Sequence, residues 1–372
     1  MNKVLITGGA GFIGSHTADV FLNQGYEVTI IDALLPKNYD NYNFPSYLDK
    51  RIKLVKGNVL DRDLMLLLLK ENDYVIHLAA EMDLNPDFTN FMNVNVGSTA
   101  LIYELIVKHK INIKKVLIAS TQFVYGEGIW NCLEHGNFSP EVREKTNLEK
   151  EIWDHKCPIC NKTASHLVNT EESLNPPNHY ALSKYFQELT AIRIGKLYAI
   201  PTVIARYSIV HGPRQSLKNT YSGALRNFTL SIYFDIELAT FEDNNSLRDF
   251  ISVYDVANAN LLLIEDNKAN FNVYNVSGDK SYKISELAKM VSNALGKEHI
   301  FSKKSEFRIG DIRHAISSNL KLKNLGWTPI HNEESTISEY VQWFLTQKIN
   351  KDNFIFTQKK IRELGIVLPI KL

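Results

Sequence analysis

Lys3-Val-Leu-Ile-Thr7-Gly8-Gly9-Ala10-Gly11-Phe12-Ile13-Gly14 decides the reading of this chain. An apolar run of strand character passes straight into glycines 8, 11 and 14, and a helical pattern follows. A diphosphate seated on the N–H groups of a helix N-terminus needs backbone that comes close, and any Cβ would hold it off. A glycine-rich turn alone would be unremarkable. Between a strand and a helix it predicts a dinucleotide cradle built by Gly8, Gly11, Phe12, Ile13 and Gly14. Asp32 closes the next apolar run, where a carboxylate accepts hydrogen bonds from a ribose diol. No Arg or Lys follows immediately to hold a 2′-phosphate, which favours NAD over NADP. Asn58 and Val59, after the third run, are expected to flank the adenine.

Outward from this motif the first half alternates. Lys3–Ile6, Glu27–Ile31, Ile52–Lys56, Tyr74–His77 and Lys114–Ala119 read as buried strands. Ser15–Asn23, Asp61–Lys70 and Asn95–His109 have helical spacing, a further helix is expected after Asn178, and another strand at Pro201–Ala205. Strands alternating with helices predict an α/β fold, a Rossmann-type doubly wound parallel sheet, with a smaller α/β substrate-binding lobe. At 372 residues the chain exceeds one typical core of ~100–200 residues. The expected division is 1–206 for the dinucleotide domain, 207–345 for the second lobe, interleaved with the first, and 346–372 as a C-terminal extension. Ile284–Leu295 reads as a helix of that lobe, and the extension is amphipathic without a motif.

Composition narrows the function classes. Acidic and basic residues nearly cancel, at a formal net charge of +1, so the clustered basic footprint of a nucleic-acid-binding protein is missing. The N-terminus lacks the pattern of a signal peptide, and the longest aliphatic run, Leu64 to Leu69, is far short of a membrane span. With three cysteines no disulfide framework is expected, and the cytoplasm is the expected compartment.

Residues 127–174 interrupt the rhythm as a polar insertion holding every cysteine. Cys132-Leu-Glu-His135 and Cys157-Pro-Ile-Cys160 are separated by 21 residues. Two close pairs joined by a loop suit tetrahedral Zn²⁺, and four protein ligands would leave no open position, so the metal would be structural. His155 is a reserve ligand; three free thiols are the plainer alternative.

Tyr180-Ala-Leu-Ser-Lys184 puts a phenol and an ammonium on one helix face. A phenol of pKa ~10 needs a nearby cation to act as a base at neutral pH. Together with Leu78-Ala79-Ala80, Asn95, Thr121, Val124-Tyr125-Gly126 and the glycine loop, this pattern resembles the extended short-chain dehydrogenase/reductase family over about residues 1–345. The resemblance implies Tyr180 as base, Lys184 as the group that binds the nicotinamide ribose and lowers the phenol pKa, and Thr121 as the residue that orients the sugar hydroxyl. It assigns Leu78, Ala79, Ala80 and Asn95 to the cofactor. Arg248-Asp249-Phe-Ile, followed by Val253 and Asp255, and Arg308-Ile-Gly-Asp311 resemble the family's two diphosphate-gripping segments. Arg206-Tyr207 and Gly212-Pro213-Arg214 resemble its substrate loop, although Ile209 stands where that loop often has Asn. The expected substrate-binding set is therefore Thr121, Gln122, Phe123, Tyr207, Arg214, Arg248, Arg308 and Asp311.

Gln122 and Phe123 discriminate between reactions. Dehydratases of the family carry Asp-Glu directly after this Thr, and decarboxylases a Glu at the second position. Phe cannot move a proton and Gln does so poorly. The resemblance then implies a nucleotide-sugar 4-epimerase working through a transient 4-keto sugar. Tyr207-Ser-Ile-Val-His-Gly-Pro-Arg-Gln and Tyr221-Ser-Gly-Ala-Leu-Arg look like the dTDP-L-rhamnose 4-epimerase branch. Alternatives are an epimerase for a UDP-, GDP- or CDP-sugar, and a 4-dehydrogenase or ketoreductase. A non-enzymatic NAD-sensing scaffold would need neither Tyr180 nor Lys184. The family also implies a homodimer. His77 reads as structural, and His211 as a lone histidine in the substrate loop.

Overall fold

The apolar runs become strands because helices cover both faces of the sheet they form. The computed structural model spans residues 1–372 and describes all except 40, 41, 83–85, 219–222, 364, 366, 371 and 372; side chains 304, 305, 353, 357 and 361 are likewise not described. Tyr221 and Ser222 of the quoted motif thus lie outside the described residues. Seven parallel strands, β1 (Lys3–Thr7), β2 (Glu27–Asp32), β3 (Lys53–Lys56), β4 (Tyr74–His77), β5 (Lys115–Thr121), β6 (Thr202–Tyr207) and β7 (Asn272–Val276), lie in the order β7-β6-β5-β4-β1-β2-β3. Five helices cover them: α1 (Phe12–Asn23), α2 (Arg62–Glu71), α3 (Ser98–Lys108), α4 (His179–Leu197) and α5 (Val253–Glu265). Phe21 of α1 and Val256 and Leu263 of α5 share one core with Ile6, Ile30, Leu117 and Ala205. On the other face Met65 and Leu69 of α2, Tyr103 of α3 and Ala191 of α4 pack with Leu5, Ile31 and Val116.

Side chains set where most of these helices start. Asp61 accepts from Leu64 N at 3.1 Å, Asn178 from Ala181 N at 3.0 Å, and Ser252 from Tyr254 N at 3.3 Å. α1 is different: its N-cap is Gly11, and no side chain caps it.

One expectation changes. The third strand, read as buried, is an edge strand paired only with β2, and Lys53, Leu54 and Lys56 are exposed. Beyond residue 206 the chain returns to the large sheet, which α5 and β7 complete. Local pattern cannot reveal that a strand at 272 returns to pair with one at 202.

The smaller lobe has two three-stranded sheets. Leu247–Ser252 pairs with Ile209–His211 and Ser281–Lys283, and Phe301–Arg308 pairs with Leu238–Phe241 and Val367–Pro369. Its core joins helices Ala224–Tyr233, Ile284–Leu295 and Glu333–Leu345 through Leu225, Phe228, Leu287, Val291, Ile337 and Phe344. The C-terminal extension belongs to this lobe: it forms helix Lys351–Glu363, then a strand whose Val367 pairs with Arg308. The insertion folds as a small antiparallel sheet of Gly136–Phe138, Trp130–Cys132 and Ser165–His166, with Trp130 buried beneath it. No helix among the described residues is long and apolar enough to cross a membrane.

At Gly14 an added Cβ would lie 2.5 Å from the Gly8 carbonyl oxygen and 2.6 Å from Gly9 Cα, both backbone atoms with no room to yield. Gly14→Ala should lower the unfolding free energy by ~1–3 kcal/mol, the usual cost of overpacking, measured by denaturant titration. An unchanged midpoint would mean that loop and helix separate freely.

Candidate active site

Strand order reverses at β1, which has β4 on one side and β2 on the other. In open α/β sheets the crevice beyond the strand ends at such a point receives ligands. Gly8 leaves β1 at φ 66° and donates to the Ile31 carbonyl at 2.8 Å. A Cβ on Gly8 would stand 2.8 Å from Ala79 N, so the loop lies directly on the segment after β4. Phe12 and Ile13, half-buried, open α1 behind the uncapped Gly11. The first N–H groups of a helix have no partners within it, so this end presents donors and a positive dipole end to an anion. Asp32 accepts from Leu34 N at 2.9 Å, Ala10 N at 3.2 Å and the Tyr39 hydroxyl at 3.2 Å, and burial raises its pKa. A carboxylate has about four lone-pair sites, so capacity remains for a diol. Cradle and donor set fit a dinucleotide.

The remaining expected cofactor residues are placed as follows. Leu78 and Ala79 are half-buried and Ala80 is exposed at the crevice edge. Asn58 is exposed, with its amide oxygen on Leu60 N at 2.9 Å, and Val59 is buried in the core beside α2. Asn95 is fully buried and its amide is engaged on both sides. It accepts from Glu81 N at 2.8 Å and donates to the Glu81 carbonyl at 3.1 Å and Ser183 Oγ at 2.9 Å. It fastens the segment after β4 to α4, one residue before Lys184.

α4 aims Tyr180 and Lys184 at the end of β5, where Thr121 stands. Loss of water around the Tyr180 phenol pushes its pKa up to about 12, with Thr121 acting in the opposite direction. The rings of Phe91 and Phe123 lie edge-on to it at 6.4 and 6.5 Å. Burial brings Lys184 down to about 7, against the pull of Glu188, and no described residue accepts a hydrogen bond from its ammonium. Desolvation thus acts on both groups toward neutrality. His77 is structural: it is buried between Thr7 Oγ1 at 2.7 Å and Ser98 Oγ at 2.9 Å, and neutral, at about 3.

Beneath this face lies a network that sequence reasoning missed. Arg206 binds Glu188 through Nε at 2.9 Å and a terminal nitrogen at 2.6 Å, and also reaches Tyr125 Oη at 3.1 Å and the Glu171 carbonyl at 2.7 Å. Ser120 donates to the same carboxylate. The available signal was spacing, since Glu188 lies one turn beyond Lys184 on the same face. Arg206, read as part of the substrate loop, serves this ion pair instead. Tyr207 is also corrected. Strand alternation turns it to the opposite face, where it sits in the core and donates to Asn260 at 2.7 Å. Arg214 does not join the other arginines: it pairs with Asp19 of α1 at 2.8 Å and lies over the Tyr47 ring at 4.8 Å. His211 is buried on Glu333 and stacked on Phe250 at 4.5 Å.

The small lobe closes the site. Gln122 is buried with its oxygen 3.4 Å from Ser317 Oγ, beside Asp249, whose pKa burial pushes up to about 7. Phe123 is half-buried at the cleft. Arg248 donates to the carbonyls of Leu247, Arg313 and Ile312 at 2.8–2.9 Å and lies 3.7 Å from the Asp311 carboxylate. Arg308 lies over the Phe241 ring at 4.4 Å, and its buried Nε has no partner among the described residues. It borders a cavity of about 110 Å³ walled by Phe228, Ile236, Phe241 and Phe354. In the insertion, Cys132, His135, Cys157 and Cys160 bring their ligand atoms within 4.8 Å of one another. His155 is not among them, and faces Glu127 at 3.3 Å.

Comparison with known proteins agrees with this geometry. The family model described as GDP-mannose 4,6 dehydratase matches residues 5–141, and that of the NAD dependent epimerase/dehydratase family matches residues 157–277. The dTDP-L-rhamnose 4-epimerase of Burkholderia thailandensis is 30% identical over 94% of this chain and 97% of its own. The UDP-glucose 4-epimerase of Bacillus subtilis is 25% identical over 91% of this chain and 96% of its own. Among solved structures, the Methanobrevibacter ruminantium UDP-N-acetylglucosamine 4-epimerase, in complex with UDP-N-acetylmuramic acid, is 27% identical with a TM-score of 0.73, covering 93% of this chain and 99% of that one. The Thermotoga maritima UDP-glucose 4-epimerase with UDP-glucose, 25% identical, also gives a TM-score of 0.73 over 92% of this chain and 98% of that one. The cradle on α1, the Tyr180–Lys184 face and full-length similarity at this level place the chain in the extended short-chain dehydrogenase/reductase family, among the NAD-dependent nucleotide-sugar epimerases and dehydratases.

Proposed function

We propose that this enzyme holds NAD and inverts C4 of a nucleotide-activated 6-deoxysugar, as a dTDP-L-rhamnose 4-epimerase does. The observation that carries the reaction type is the pair Gln122–Phe123, placed after Thr121 where eliminating relatives need an acid and a base. Tyr180 is then the side chain proposed to transfer the proton at the cleft end of β5 and α4. When bound, NAD⁺ supplies a reversible hydride acceptor and a positive charge beside the phenol. Tyr180 Oη takes the proton that the C4 hydroxyl loses as the 4-keto sugar forms, and returns it to the same oxygen once the ring presents its other face. Thr121 orients that oxygen. Lys184, with no acceptor among the described residues, is available to bind a ribose hydroxyl and, when protonated, to favour the phenolate. Arg248 and Arg308 suit the diphosphate, since a planar guanidinium binds phosphate oxygens in pairs. The aromatic cavity beside Arg308 suits the nucleobase. The resemblance to the rhamnose enzyme of Burkholderia thailandensis supports the sugar. A homodimer is also proposed, packed through α4, where Leu182, Phe186 and Leu189 form an exposed apolar stripe.

A panel of dTDP-, UDP-, GDP- and CDP-sugars followed by NMR should show C4 inversion, fastest with a dTDP-6-deoxyhexose, with no build-up of free reduced cofactor. Steady accumulation of that cofactor would instead identify a dehydrogenase. Tyr180→Phe should slow inversion by ~10²–10⁴-fold while NAD binding persists. An undiminished rate rejects Tyr180 as the base.

The buried Lys184 makes a second, independent prediction. Its pKa of about 7 in the folded protein lies below the ~10.4 of an unfolded lysine, so between these values the unfolded chain binds the extra proton. Stability of nucleotide-free protein should therefore rise with pH across this window, by at most ~1.4 kcal/mol per pH unit from this group. Lys184→Met should rise less steeply between about pH 7.5 and 9.5, below the tyrosine range. Lys115, also lowered, to about 8, contributes alike to both proteins. Parallel stability curves would mean that the ammonium stays charged.

A further inference from the structure

The insertion contains a feature that the proposed chemistry does not use. Cys132 Sγ lies 3.7 Å from Cys160 Sγ and 3.7 Å from His135 Nδ1, and Cys157 Sγ lies 3.6 Å from the same nitrogen. A tetrahedron with metal–sulfur bonds of ~2.3 Å has edges of about 3.8 Å. Disulfide sulfurs would be at ~2.05 Å, so these side chains are spaced for an ion between them, not for each other. The turn is built around Cys157, which donates its N–H to the Lys162 carbonyl at 2.8 Å and receives Ile159 N on its sulfur at 3.4 Å. Such N–H···S contacts orient metal-bound thiolates. Three thiolates and an imidazole with no open position suit Zn²⁺ in a structural role.

The ligands join two stretches that clasp a buried charge network. Before Cys132, Trp130 donates to the Glu127 carbonyl at 2.8 Å. Before Cys157, the Trp153 carbonyl accepts from Arg143 at 3.4 Å, Asp154 accepts from Arg313 Nε at 2.7 Å, and His155 meets Glu127. Glu127, almost fully buried, takes Arg143 Nε at 2.9 Å and the Arg313 N–H at 3.0 Å, while Arg143 donates to the Asp311 carbonyl at 3.0 Å. Segment 311–313 is thus gripped from the insertion side, and from the other side its carbonyls at Ile312 and Arg313 hold the Arg248 guanidinium. Buried charges repay their desolvation only in close geometry, so this network depends on what holds its two stretches together.

We infer that Cys132, His135, Cys157 and Cys160 hold a structural Zn²⁺, and that the ion, through Glu127, Arg143 and Arg313, fixes the carbonyls that aim Arg248 at the substrate diphosphate. The second half rests on the reading of Arg248 as a diphosphate ligand. Binding releases the thiol protons and closes the insertion, which has few apolar residues to fold on.

The test starts with enzyme purified without chelator. It should contain about one zinc per chain, and Co²⁺ exchanged into the site should give thiolate charge-transfer and tetrahedral ligand-field bands. Protein grown with added zinc that carries no metal, or gives no cobalt spectrum, overturns the site. Titration calorimetry with dTDP and with UDP then reads the coupling without turnover. Removing the metal should weaken both about tenfold, the worth of one charge-assisted hydrogen bond, with NAD still bound. Glu127→Gln, which keeps all four ligands, should retain the zinc and weaken both nucleotides similarly. Affinities within twofold of the parent in both cases overturn the coupling and leave the metal site standing. Arg248→Met separates the underlying reading: if it binds dTDP and UDP as the parent does, Arg248 is not a diphosphate ligand.

Discussion

The buried ion pair of Glu188 and Arg206 is the constraint on which the geometry of the candidate site depends. Both groups are nearly free of solvent, and such a pair is stable only when its hydrogen bonds are completed. Here they are, by Ser120, Tyr125 Oη and the Glu171 carbonyl. The pair joins two elements at the points that matter. Ser120 precedes Thr121 on β5, and Glu188 lies one turn past Lys184 on α4. Any slide of α4 along the sheet would break several buried hydrogen bonds at once, so Tyr180, Lys184 and Thr121 are held in one register. Asn95 secures the same helix from the other side through Ser183.

What could be read in the sequence was whatever depends on local spacing. Gly8, Gly11 and Gly14 announce their cradle because a close backbone approach excludes other residues. Tyr180 and Lys184 share a face because a helix repeats every 3.6 residues. The clustering of Cys132, His135, Cys157 and Cys160 was legible in the same way, as paired spacings. Arg206, Tyr207 and Arg214 were misread for the opposite reason. Their motif is contiguous in sequence, but strand alternation sends Arg206 and Tyr207 to opposite faces, and a turn carries Arg214 to Asp19 of α1. The edge position of β3 and the return of β7 to the large sheet depend on pairings between distant segments. Residues 346–372 carry no motif because their role is to add a strand beside Arg308 and a helical wall to its cavity.

The site is stiff at one end and smooth at the other, and this contrast bears on the proposed chemistry. Arg248 is tied to three main-chain carbonyls, and the segment that ties it is itself anchored by Glu127 and Arg143. A guanidinium held in this way loses little freedom when phosphate oxygens arrive. Beside Tyr180, by contrast, lie the rings of Phe91 and Phe123, which offer shape without directional hydrogen bonds. An inversion at C4 requires the oxidised ring to present both faces to the same phenol. Polar groups matched to one face would trap it there, because buried donors and acceptors left unpaired are costly. Gln122, which follows Thr121, is engaged with Ser317 and Asp249. On the proposed function, a firmly tied Arg248 beside apolar rings would hold a diphosphate while leaving a sugar free to turn, which suits an epimerase better than a one-way reductase.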